Sequence, residues 1–77
     1  MNSKTKKQTL AAFGNNLRVA RAKCGWTQAE LAHKLGIGVA YVSRLERGCR
    51  NPPMTTVVEL VRWLDASPGQ ILPAEAA

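Results

Sequence analysis

Leu10, Phe13, Leu17, Ala20 and Cys24 recur at intervals of three and four residues, which gives one buried stripe of an amphipathic helix. The spacing predicts a helix from about Thr9 to Cys24, with Gly25 as its stop. A second stripe, Leu31, Ala32 and Leu35, follows Thr27 and Glu30, whose T-x-x-E spacing is a capping box at a helix start. Gly36 then supplies a residue that can end a helix in left-handed backbone without a steric cost. Ile37 returns to the core. A third helix is predicted from about Val39 to Arg47, with Val42 and Leu45 inward and Gly48 at its stop. Pro52 and Pro53 bar a helix through CRNPP, residues 49–53. A fourth helix is expected over Met54–Leu64, with Met54, Val57, Val58, Val61 and Leu64 as its apolar face and Leu60 at the flank. The run VVELV is rich in β-branched residues, but its length and spacing suit a buried helix better than a strand. Ser67-Pro68 has the form of an N-cap and a first-turn proline, opening a short fifth helix through about Leu72.

This pattern predicts an all-α, compact five-helix domain over residues 9–73, preceded by a flexible basic arm (1–8) and followed by a frayed tail (74–77). With 77 residues there is room for one small core, so association with a second copy would add stability. A small core also argues for a binding module rather than a large substrate cleft.

The second and third helices carry the most information. Ala32 is small where two helices would cross closely, and Gly36 is flexible where the chain must turn sharply. Such a pair is a helix-turn-helix, a unit whose second helix enters the major groove of DNA. Charge agrees: 11 Lys and Arg against 5 Asp and Glu give a net charge of +6, which favours a polyanionic partner. Arg44, Arg47 and Arg50 lie on or beside that second helix.

Other chemistry is sparse. Cys24 and Cys49 have no metal-type spacing, His33 is the single histidine, and the thiols read as reduced cysteines. No carboxylate pair or nucleophile–base set suggests an enzyme, and no cofactor, metal or small-molecule ligand is implied. No apolar run approaches the ~20 residues of a membrane span. Lys4, Lys6 and Lys7 are not followed by the apolar segment of a secretory signal, so the cytoplasm is the expected location.

From about Phe13 to Leu72 the chain resembles the Cro/phage-repressor type helix-turn-helix family, also called the xenobiotic-response-element family. The resemblance is carried by R-x-x-x-x-G-W-T-Q-A-E-L-A from Arg21, L-G-I from Leu35, Y-V-S-R-L-E-R-G from Tyr41, R-N-P-P-M from Arg50 and L-D-A-S-P-G-Q-I-L from Leu64. It implies a lambda-repressor-like domain acting as a transcriptional regulator, usually a homodimer on palindromic, double-stranded DNA. Restriction-modification controller proteins, a subgroup of that family, have a similar length and a similar E-R-x-x-R-N segment.

The resemblance also assigns roles. Gly38, Val39, Ala40 and Arg44 occupy DNA-facing slots, where relatives often have Gln or Ser in the early positions. Val39 and Ala40 would meet thymine methyl groups, and Arg44 would read a guanine or else hold a phosphate. Gln28, with Thr27 beside it, would bind a phosphate at the start of the second helix. Tyr41 and Ser43 are phosphate or groove-edge contacts, with the core rim as the other role for Tyr41. Arg18, Arg47, Arg50 and Asn51 would hold the DNA backbone or else stand as solvated surface residues, and Arg50 also has the reach for the minor groove. Arg21 and Glu46 match a partly buried salt bridge of structural purpose. Trp26 is expected over the second helix. Trp63 either forms a dimer surface with Leu60, Leu64, Ile71 and Leu72 or folds onto its own domain.

Two functions follow. One is a sequence-specific repressor, or repressor and activator, on an inverted-repeat operator, with no second domain to sense a ligand. The other is a protein-interaction module, such as an antitoxin or adaptor, on the same fold.

Overall fold

The computed structural model describes residues 5–73, and within them the chain forms five helices. These are α1 (Lys6–Lys23), α2 (Gln28–Leu35), α3 (Val39–Glu46), α4 (Met54–Leu64) and α5 (Pro68–Ile71). The all-helical, five-helix expectation holds.

The first helix begins earlier than the apolar stripe indicates. Thr5 is its N-cap: the Gln8 N–H donates to the Thr5 hydroxyl at 3.2 Å, and the Thr5 N–H donates to the Gln8 side chain at 2.9 Å. This T-x-x-Q capping box recruits residues 6–8 into α1, so they are helix rather than arm. The remainder of the expected arm, residues 1–4, and the expected tail, 74–77, lie outside the described residues.

α2 opens on the anticipated box. The Glu30 N–H donates to the Thr27 hydroxyl at 3.0 Å, and the Thr27 N–H to the Glu30 carboxylate at 2.8 Å. The Thr27 backbone N–H, donating to the ionised form, is the largest cause that holds the Glu30 carboxyl below its usual range. Gly36 ends α2 at φ 69°, a left-handed conformation in which a Cβ is strained. The turn it makes delivers Ile37 to the core edge and Gly38 to the N-cap of α3.

The core draws on every helix: Phe13 and Leu17 from α1, Leu31 and Ala32 from α2, Val42 and Leu45 from α3, Leu60 and Leu64 from α4, and Ile71 from α5. Fully burying a Leu or Ile side chain contributes roughly 1.5–3 kcal/mol, so these contacts are the main source of stability. Two side chains stitch the ends of the core together. The Asn16 amide donates to the Ile71 carbonyl at 3.1 Å, tying α1 to α5, and the Cys24 thiol donates to the Leu64 carbonyl at 3.4 Å.

α4 is rotated relative to the expected face. Leu60 and Leu64 are buried, and Val57 and Val61 pack at the core margin, a stripe at i, i+3, i+4 and i+7. Met54 and Val58 fall off that stripe and stand 72% and 41% exposed.

Candidate nucleic-acid interface

The outward face of α3 is built by subtraction. Val42, Leu45 and Glu46 turn inward and seat the helix on the core. What remains outside is Val39, Ala40 and Arg44, preceded by exposed Gly38 at the N-cap and followed by exposed Arg47 at the C-cap. Val39 is 49% exposed, a large apolar residue placed in water by a helix that buries Val42 and Leu45. Ser43 and Tyr41 are half-buried at the sides, and Tyr41 packs against the core rim. Beyond α3 the chain folds back so that the Arg50 guanidinium lies 5.5 Å from the Tyr41 ring centroid, within cation–π range. Arg47 donates to the Ser43 carbonyl at 3.4 Å, and Asn51 is exposed. Arg18 is exposed on the α1 face that also carries Gly14 and Arg21, and it donates to the Asn15 side chain.

Behind α3 lies a buried polar network. The Glu46 side chain is only 2% exposed. Arg21 grips it with two prongs, Nε to Oε2 at 2.5 Å and Nη2 to Oε1 at 3.0 Å. A third N–H of Arg21, on Nη1, donates to the Trp26 carbonyl at 2.7 Å. The Glu46 hydrogen bonds raise the Arg21 pKa above its already high ordinary value. The guanidinium therefore stays charged at every accessible pH. One carboxylate thus binds α1 to α3, and the same guanidinium fixes the loop before α2. A buried pair with its donors and acceptors matched sets geometry more than it adds stability.

Gln28 joins this network. Its Nε2 donates to Glu46 Oε1 at 3.0 Å. The sequence places Gln28 at a phosphate site; the structure shows its amide engaged with a residue 18 positions away.

The expected dimer surface is corrected by the structure. Leu60, Leu64 and Ile71 belong to the core of their own chain, at 0%, 4% and 0% exposure, and present nothing to a partner. A linear stripe does not say which flank of α4 meets the other helices, and here the aliphatic residues beside Trp63 are the ones that do. Trp63 is 43% exposed and Leu72 half-buried. Trp63 also faces its own domain: the Lys34 ammonium sits 5.1 Å from its ring centroid and 4.7 Å from that of Trp26. This cation between two indoles pins α2 to α4, and Trp26 covers the core edge beside it.

Comparison with known proteins follows the same lines. The helix-turn-helix family profile matches residues 17–71. The chain belongs to the helix-turn-helix family of DNA-binding transcription regulators. Among curated relatives, the antitoxin HipB of Escherichia coli K12 is 36% identical over 55 residues, covering 71% of this chain and 62% of HipB. The transcriptional regulator ImmR of Bacillus subtilis is 38% identical over 61 residues, covering 79% of this chain and 48% of ImmR. The chain thus spans less than two thirds of the length of these relatives. Among solved structures, the restriction-modification controller protein C.AhdI from Aeromonas hydrophila superposes with a TM-score of 0.76 at 35% identity, covering 82% of this chain and 96% of that one. The hypothetical transcription factor NHTF from Neisseria gives 0.78 at 29% identity, over 94% of this chain and 82% of its own. Among the described residues no helix of this helix-turn-helix protein is long and apolar enough to cross a membrane.

Sequence reasoning missed two parts of this scaffold. Gly14 is buried in the α1–α3 crossing. A glycine inside an otherwise helical stripe costs about 1 kcal/mol against alanine, and that anomaly was the available signal. The Trp26–Lys34–Trp63 stack had none, because its members come from a loop and two helices.

Proposed function

We propose that this protein is a sequence-specific, cytoplasmic regulator that binds an inverted-repeat operator in double-stranded DNA as a homodimer. The observation carrying this reading is the division of α3 into two faces. One is locked to the domain by Val42, Leu45 and the Glu46 pair; the other offers Val39, Ala40 and Arg44 to the outside. In a major groove, Arg44 fits the O6 and N7 acceptors of a guanine, and Val39 and Ala40 fit thymine methyl groups. The half-site should therefore carry thymines next to a guanine. On one side of the groove the first turn of α2, with Thr27 and Gln28, meets phosphate. On the other, Arg47, Arg50 and Asn51 do so, with Arg18 at the edge. Gly38 lets the backbone come close, and Ser43 and Tyr41 line the groove wall.

A second copy is best accommodated on the α4 flank where Met54 and Val58 are exposed. Glu59 and Arg62 fringe that flank one and four residues beyond Val58. A two-fold axis there would bring Glu59 toward the partner's Arg62, giving a self-complementary contact. Binding across a promoter represses by occlusion, and contact with polymerase activates. The likeness to C.AhdI supports a restriction-modification controller within this class.

The likeness to the antitoxin HipB supports a second reading, in which the domain also holds a protein partner. Selection of bound DNA from a random library at near-physiological salt separates the two. Enrichment of an inverted repeat with half-sites about 10–11 bp apart is the expected result. Salt-sensitive binding without enrichment would overturn the operator reading and favour the protein partner.

A further inference from the structure

The Trp26–Lys34–Trp63 stack stands between two surfaces with different partners. Met54 and Val58 expose the α4 flank proposed for the second copy, and Val39, Ala40 and Arg44 expose the α3 face proposed for DNA. Two half-sites are met at once only if α4 and α3 keep a fixed relation. Each base pair added between the half-sites moves one of them by about 3.4 Å and turns it by roughly 35°. The core contacts alone hold that relation loosely. α4 meets the helix-turn-helix through apolar side chains such as Leu60 and Leu64, and apolar contact has no direction, so packed helices remain free to shear. A hollow of about 230 Å³ lies along the α2–α4 seam, lined by Leu35, Ile37, Thr55, Thr56 and Glu59. Among the described residues no hydrogen bond or salt bridge links α4 to α2 or α3; the bond that the Leu64 carbonyl accepts from Cys24 runs to the end of α1.

The stack supplies the missing direction. Lys34 is next to last in α2 and Trp63 next to last in α4, and the ammonium lies 5.1 Å from the Trp63 ring centroid and 4.7 Å from that of Trp26. A cation is attracted to the face of a ring and not to its edge, so two faces together fix its place. Trp26 is tied from behind: its carbonyl accepts from Arg21 Nη1 at 2.7 Å, and Arg21 grips Glu46 of α3. A continuous run of contacts thus leads from α4 through Trp63, Lys34, Trp26 and Arg21 to the recognition helix. We propose that Lys34 is a positioning residue that sets which half-site spacing the dimer accepts. It clamps α4 to the helix-turn-helix and so fixes the recognition helix relative to the dimer flank. This rests on the dimeric operator reading above.

The test measures affinity for duplexes carrying the selected inverted repeat, at its selected spacing and with the spacer one base pair longer or shorter. The proteins are wild type, Lys34→Met, which keeps an unbranched side chain without the charge, and Lys34→Arg, which keeps a cation for the two rings. Wild type should bind the altered spacers about tenfold or more weakly, because the second half-site is then out of phase. In Lys34→Met that ratio should narrow severalfold, and Lys34→Arg should restore it. Sedimentation should show Lys34→Met still a dimer. Its slope of log affinity against log salt should match that of wild type, which a phosphate-binding lysine would not allow. Both tryptophans of the chain belong to the stack, so intrinsic fluorescence reads it directly: emission should change in Lys34→Met and return toward the wild-type form in Lys34→Arg. A wild-type spacing ratio in Lys34→Met would leave the stack a source of stability only, and a Lys34→Arg protein that behaves as Lys34→Met would show that the cation is not the fastener. Either result overturns the proposal. Should Lys34→Met melt near the assay temperature, Lys34→Gln replaces it with the same expectation. A wild type that selects no inverted repeat, or binds it as a monomer, overturns the dimeric reading itself, an outcome distinct from an unchanged ratio.

Discussion

Gly14 of α1 lies directly against the Glu46 carbonyl of α3: a Cβ built on Gly14 would stand 2.5 Å from the Glu46 oxygen and 2.5 Å from that of Leu45. The two helices cross at backbone distance, and the recognition helix takes its position from that crossing. Alanine at residue 14 would gain about 1 kcal/mol in helix propensity. It would also drive a methyl group into two carbonyl oxygens, and neither is a flexible side-chain end that can swing aside. Overpacking of this kind costs roughly 1–3 kcal/mol, so the steric effect wins. Gly14→Ala should lower the melting temperature by several degrees, and an equal or higher value would show that the crossing relaxes freely.

Arg21 and Glu46 should behave asymmetrically. Glu46→Ala leaves the Arg21 guanidinium without its carboxylate partner, and for a buried pair that costs about 3–5 kcal/mol. Arg21→Met with Glu46→Leu removes both charges and should recover most of that loss. Denaturant midpoints of the single and double variants check this. Equal loss in both would mean that the pair itself supplies the stability.

Much of this fold was legible because its signals are local. The Thr27–Glu30 box spans three residues, Gly36 acts at one position, and each appears as its residue types predict. The start of α1 is hidden although Thr5–Gln8 is the same device, because no apolar stripe follows it closely and the lysines read as a tail. The buried face of α4 differs from the expected one for a different reason. Six apolar residues besides Trp63 among its eleven allow two overlapping stripes, and the neighbouring helices choose between them. At the site, the α3 slots and the Arg21–Glu46 pair came from the family resemblance. The resemblance names Gln28 as a phosphate contact but not as the third member of this network, since only the folded chain brings it to Glu46.

Arg44 is exposed on α3, and its removal should leave the fold intact. Arg44→Ala should lose roughly 1–3 kcal/mol of discrimination at one base pair of the half-site. Arg47→Ala should instead weaken binding to all sequences and reduce the slope of log affinity against log salt by about 0.9, the value for one phosphate contact. Binding isotherms on matched and mismatched operators at several salt concentrations separate the two roles. A uniform loss in Arg44→Ala would move that residue to the backbone class.

The corrected α4 surface gives a paired test. Val58 is 41% exposed and Leu60 fully buried, two residues apart on one helix. Val58→Asp should dissociate a dimer while the melting curve of the domain stays cooperative. Leu60→Asp should unfold the chain, because a carboxylate in that core has no partner. Sedimentation of Val58→Asp decides the assignment: a surviving dimer would place the interface elsewhere, with the exposed edge of Trp63 as the next surface to probe.

Acid stability should report on the α2 cap. Bonds from Thr27 hold the Glu30 carboxyl below its usual range in the folded protein. A depressed folded value means that the unfolded chain binds the proton more readily. The cap's contribution is therefore fully present above the unfolded value of about 4.3 and is lost as pH falls through the lower folded value. Glu30→Gln keeps an acceptor for the Thr27 N–H but does not titrate. Between pH 5 and pH 2 the wild type should lose more stability than Glu30→Gln, and the two curves should run parallel from pH 6 to pH 8. Thermal melts across that range provide the comparison. Parallel curves below pH 4 would mean that the carboxylate form of Glu30 does nothing for the helix start that the neutral amide cannot.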